Sequence, residues 1–148
     1  MWRHSKAYFA AVVTIYLVGS VAITQMNLQS LIGLGAQIPV SVRWHATWTD
    51  LQGLLVPYLI LIAIGVLIAV VVTGQISRFF PRYRMWLYPI ACAVALLAIH
   101  LLLKGIFGLW GVAGARPPVG LLLQGLAGGL GGWLYAYWSR RPSTLFIE

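Results

Sequence analysis

Few side chains in this chain of 148 residues could do chemistry. The acids are Asp50 and Glu148, the histidines are His4, His45 and His100, and the one cysteine is Cys92. Paired-carboxylate catalysis would need two copies of the chain, and no Ser-His-Asp spacing can be read. A single thiol excludes an internal disulfide, a CxxC redox pair and a cysteine zinc site. A bis-histidine haem site would need a second histidine at the depth of His100, whereas His4 and His45 are terminal or loop residues. No catalytic residue, metal ligand or cofactor is therefore assigned.

What remains is a set of polar residues that helical spacing brings to one level. His100 lies fourteen residues after Trp86, about 21 Å along a helix rising 1.5 Å per residue. Gln124 lies six residues after Pro118, about 9 Å along a helix of opposite sense. In a hydrocarbon core of ~30 Å, both fall roughly 9 Å beneath the same boundary. Ser20 and Pro57 fall close by, and Lys104 stands one turn beyond His100 on the same face. Two uses fit these residues. They can hydrogen-bond across helices as structural glue worth about 0.6–2 kcal/mol each. Alternatively, His100 and Gln124 floor a cleft with Arg43, His45, Asp50, Lys104 and Arg116 around its mouth, suited to an anionic lipid head group or another amphiphile. An ionisable residue within a span is a functional candidate by default.

The elements that must position these residues follow from composition. Hydrophobic residues make up 61% of the chain and charged residues only 8%, against roughly 25% charged in soluble domains. That balance excludes a soluble enzyme, a disordered chain and a disulfide-stapled secreted module. Four apolar runs, residues 7–24, 51–73, 86–104 and 118–138, approach or reach the ~20 residues that cross a bilayer. Backbone groups in lipid must be satisfied within each segment, and none of the runs alternates as a barrel strand does, so the expectation is helices. The expected fold is all-α: residues 1–148 as one transmembrane domain, a four-helix up-down bundle with a short interfacial segment in its outer loop.

Charge sets the expected orientation. With a cytoplasmic N-terminus, Arg3, Lys6, Arg78, Arg82, Arg84, Arg140 and Arg141 fall inside, and Arg43, Lys104 and Arg116 outside. This asymmetry follows the positive-inside rule with both termini cytoplasmic, in a bacterial inner membrane. Trp2, Trp86, Trp133 and Trp138 fall at inner ends and Trp44, Trp48 and Trp110 at outer ends, as aromatic belts do. The net charge of +8 then reflects anchoring to anionic lipid and not nucleic-acid binding. Lys6, the apolar run after it and Ser20-Val21-Ala22 also resemble a secretory signal, whose cleavage would leave three spans; a retained first helix is expected.

The outer loop, residues 24–50, is the long connection. Its stretch from Val40 to Thr49 alternates apolar and polar, as a strand would, yet it also sets Trp44 and Trp48 four apart, as an interfacial helix would. The helix is the expected form, because a lone strand would leave unpaired edges. The last span carries Gly120, Gly125, Gly128, Gly129 and Gly132, which contain two GxxxG pairs and suit close helix packing. Gly65 and Ala69 of the second span, and Ala11, Gly19 and Ala22 of the first, are plausible counter-faces. Gly114-Ala115-Arg116, the run Gly120 to Gln124, Ala127-Gly128-Gly129 and the loop Arg43 to Asp50 resemble small uncharacterised four-helix inner-membrane proteins of proteobacteria, over about a third of the chain. The resemblance implies an inner-membrane location and no chemistry.

Three function classes follow. The first is a non-enzymatic membrane protein, surrounded by lipid, that associates with itself or a partner membrane protein through its glycine-rich fourth span. The second is a small transporter or binder of an amphiphile at the polar level. The third is a membrane-embedded enzyme, for which no nucleophile–base pair can be read.

Overall fold

The computed structural model describes residues 2–107 and 118–140. They form five α-helices: α1 (Trp2–Gly33), α2 (Val40–Gly53), α3 (Leu55–Phe79), α4 (Arg84–Phe107) and α5 (Pro118–Trp138). A 3-10 turn at Pro81–Tyr83 leads into α4. No strand occurs among the described residues. By length and apolar composition α1, α3, α4 and α5 can each cross a membrane, as expected of a multi-pass membrane protein.

The first helix corrects the expected outer loop. It runs on through Thr24 to Gly33 and so spans 32 residues, about 48 Å. Nothing between Gln25 and Ile32 breaks a helix, and Leu28 is buried. The helix stops where Gly35 adopts φ +93°. Gly35 N–H donates to Ile32 O and Ala36 N–H to Leu31 O, the paired bonds of a Schellman ending.

The outer-loop segment is a helix of 14 residues, not an extended strand. Val40, Trp44 and Trp48 form an exposed stripe on α2, four residues apart. On another face, Arg43 Nη1 donates to Gln25 Oε1 at 3.1 Å, Gln25 Nε2 to Thr47 Oγ1 at 3.1 Å, and Thr24 Oγ1 to Asp50 Oδ2 at 2.8 Å. These bonds strap α2 to the upper part of α1. Leu54 alone separates α2 from α3. Pro57 explains the break: its ring would clash with the carbonyl of Gly53 and it has no N–H to donate.

Half of the apolar window of α1 and of α5 is buried by the rest of the protein, against 28% for α3 and 22% for α4, so α1 and α5 form the centre. Two faces of α5 make that possible. A Cβ on Gly128 would sit 2.6 Å from the Cys92 carbonyl oxygen, and one on Gly132 would reach 2.8 Å from Pro89 Cα and overlap the Tyr88 carbonyl. A Cβ on Gly131 would press on Ile15 and lie 2.9 Å from Ala11 O. Gly125 rests on Leu97 at ordinary contact distance, and Gly120 is buried. The counter-faces are thus α4 and the Ala11 turn of α1. Gly65 of α3, expected opposite the glycines, instead receives Ile99 of α4, whose Cδ1 would stand 2.5 Å from an added Cβ. The glycines let backbones touch, which is how helices gain dispersion and Cα–H contacts where lipid supplies no hydrophobic drive.

Gly132→Ala should therefore lower thermal stability in detergent by about 1–3 kcal/mol, since backbone cannot step aside. Gly129→Ala should be neutral or slightly stabilising, because its Cβ would meet only Pro89 O at 3.9 Å. Equal losses would show that the α4–α5 contact is looser than described.

Candidate functional site

The polar level expected from depth counting forms around a residue not singled out in the sequence. Tyr58, in the first turns of α3, donates its hydroxyl to Gln124 Oε1 on α5. Gln124 Nε2 donates in turn to the Gly19 carbonyl of α1 at 3.1 Å. Gly19 is bare for a reason: a Cβ there would stand 2.8 Å from Tyr58 Oη and 3.0 Å from Gln124 Oε1. Three helices thus meet in one bonded chain, with Gln124 only 1% exposed.

His100 lies on the other side of Tyr58. The two rings meet edge-on with centroids 6.2 Å apart. His100 bonds to neither Gln124 nor Tyr58; its Nδ1 lies 2.8 Å from the Leu96 carbonyl of its own helix. A carbonyl can only accept, so this contact assigns the proton to Nδ1 and leaves Nε2 of the neutral ring as a bare acceptor. Nε2 is buried and has no hydrogen-bond partner among the described residues. It belongs to a side chain that is 1% exposed yet lines a cavity of about 210 Å³ with Leu54, Pro57, Tyr58, Leu61, Ile99 and Leu103. A second, apolar cavity of about 430 Å³ continues between α3 and α4. Both cavities are lined by Ile99, the side chain that packs on Gly65. Ser20, fully buried beside Gly19, is the other described residue with a buried side-chain polar atom left without a partner, its Oγ.

The remaining expected residues divide. Arg43 and Asp50 are half-buried and engaged with α1 through Gln25 and Thr24. His45 is exposed on α2, where its backbone carbonyl accepts from Thr49. Lys104 is exposed one turn beyond His100. Arg116 lies outside the described residues. The level therefore unites His100 and Gln124 only through Tyr58, while Arg43 and Asp50 form a separate strap. Among the described residues no three His, Cys, Asp or Glu side chains gather as a metal site would require.

Tyr58 did carry a signal. A tyrosine within a charge-free span must find a partner for its hydroxyl. Counting from Asp50 places it at the depth already assigned to Pro57.

No protein-family model, curated protein or solved structure matches this chain.

The bonding pattern makes a specific energetic statement. In a double-mutant cycle, Tyr58→Phe and Gln124→Leu should couple by about 0.6–2 kcal/mol. His100→Phe and Gln124→Leu should couple more weakly than that, because they share no bond and meet only through Tyr58. Coupling confined to the histidine pair would mean that Tyr58 does not stand between them.

Proposed function

We propose that this chain is a multi-pass bacterial inner-membrane protein, a four-helix up-down bundle forming one transmembrane domain with cytoplasmic termini. It binds an amphiphile in the cleft between α3 and α4. The observation that carries this reading is the bare Nε2 of His100. A buried acceptor left without a donor costs about 1–3 kcal/mol, and a ligand hydroxyl or amine would remove that penalty. The ligand is accordingly a hydrogen-bond donor at its polar end. The apolar cavity beyond Ile99 suits a hydrocarbon tail. Lys104 and the strap of Arg43 and Asp50 sit toward the same end, which the positive-inside rule places in the outer leaflet.

Association through the glycines of α5 is the less supported reading. Gly128, Gly131 and Gly132 are already taken by α4 and α1 of the same chain. A second copy or a partner would have to use the outward stripe of Leu122, Leu126 and Leu130, which suits lipid equally well.

The test uses a matched pair of probes, a short-chain diacylglycerol and its O-methyl ether, titrated into the detergent-solubilised protein. The hydroxyl form should bind about tenfold more tightly, the worth of one hydrogen bond to an otherwise orphaned acceptor. His100→Phe should erase that preference while keeping or raising thermal stability. Equal affinity for the two probes, or a preference that survives His100→Phe, would refute the site.

Orientation has its own test. In a Cys92→Ala background, cysteines at the exposed positions Gln37 and Arg140 should react with an impermeant maleimide from opposite sides of intact membranes. Gln37 should label from outside. Labelling of both from one side would contradict the four-span topology.

A further inference from the structure

At the end of the molecule opposite α2, a cavity of about 520 Å³ opens between α3, α4 and α5, with His4 of α1 at its edge. Its character is that of a donor site. Arg84 is half-buried, with its guanidinium 5.3 Å over the Tyr88 ring and one N–H donated to Ser139 Oγ. Ser139 Oγ passes its own proton to the Tyr135 carbonyl, so it is held as an acceptor for Arg84. A guanidinium has five N–H donors, so this arrangement fixes the fork while leaving most of it unused by the described residues. Arg78 of α3 is exposed at the rim of the same cavity. Tyr88 is 4% exposed, lines the cavity, and its hydroxyl makes no hydrogen bond to the described residues. The acid among the described residues, Asp50, is at the far end on α2.

Among the described residues, two arginines and a phenol hydroxyl without a hydrogen bond line this cavity, and the one described acid is at the far end, so its lining forms a receptor for an oxyanion. We propose that this cavity binds the phosphodiester of an anionic phospholipid, with Arg84 as the fixed bidentate donor, Arg78 as the rim charge and Tyr88 completing the cradle. Arginine forks match phosphate oxygens two at a time, and basic pockets between transmembrane helices suit lipid head groups. The cavity is walled on one side by Val70 and Val71 of α3, and Val71 is also exposed outward, so an acyl chain can leave along that helix. This site is distinct from the His100 cleft in position and in the sign of its chemistry: donors here, an acceptor there.

Delipidated protein in a neutral detergent would be titrated with short-chain phosphatidylglycerol, short-chain phosphatidylcholine and inorganic phosphate, with bound ligand read by native mass spectrometry. Phosphatidylglycerol should bind most tightly. Arg84→Gln should weaken it about tenfold or more and Arg78→Gln by about fivefold, the scale of charge-assisted bonds and surface charges respectively. Arg82→Gln, an exposed arginine that does not line the cavity, should change it little. If Arg84→Gln does not fold, Arg84→Lys keeps the charge, loses the fork and should still weaken binding. Equal losses in Arg82→Gln and Arg84→Gln would mean diffuse surface attraction and would overturn the site. Inorganic phosphate competing at the lipid's own affinity would overturn the lipid assignment, and so would phosphatidylcholine binding as tightly as phosphatidylglycerol.

Discussion

The bare backbone contact between α5 and α4 is the constraint on which the rest depends. With Gly128 against the Cys92 carbonyl and Gly132 against Tyr88 and Pro89, the two helices have no freedom to slide by a residue without driving a side chain into backbone. Gly131 imposes the same condition toward Ala11 and Ile15 of α1. Packed interiors tolerate such shifts poorly. Once that register is set, Gln124, one turn from Gly128, arrives opposite the Gly19 carbonyl and the Tyr58 hydroxyl. The polar level is thus a consequence of glycine packing as much as of the polar residues in it.

That level is nearly saturated, and its exceptions are informative. Tyr58 and Gln124 satisfy each other, and Gln124 also serves the Gly19 carbonyl. In a medium of low dielectric each such bond is strong, and each omission is correspondingly unfavourable. His100 is held by Leu96 on one nitrogen and open on the other. The cavity that His100 lines, and the apolar one beyond Ile99, are what the proposed ligand site rests on. At the opposite end, Arg84 and Tyr88 carry donor groups, whereas His100 carries an unpartnered acceptor, so the two proposed sites differ in the sign of their chemistry.

Much of the fold was legible because lipid is a demanding solvent. Long charge-free runs had to be helices, and counting 1.5 Å per residue placed His100, Gln124 and Ser20 at one depth. Depth counting yields height but not azimuth, so it sets His100 and Gln124 at one level without showing that Tyr58 stands between them. Tyr58 itself was hidden by its type, since a tyrosine near a span end reads as part of an aromatic belt. The overrun of α1 to Gly33 was missed because the apolar run ends at Thr24 while helix propensity does not; Gln25, Met26, Leu28 and Gln29 continue a helix without lipid. The glycines signalled close approach, but small residues are common to several helices, and only the assembled structure selects α4 over α3 as their neighbour.

The central claim is that His100 presents an unprotonated Nε2 to a ligand cleft, and nitrogen NMR reads it most directly. Solid-state spectra of the chain labelled with ¹⁵N-histidine in lipid, with His4→Gln and His45→Gln to isolate the one signal, report each ring nitrogen separately. The account predicts a protonated Nδ1 and a bare Nε2 whose resonance moves when a hydroxyl-bearing amphiphile is added. A proton on Nε2, or an Nε2 resonance indifferent to that amphiphile, would contradict it.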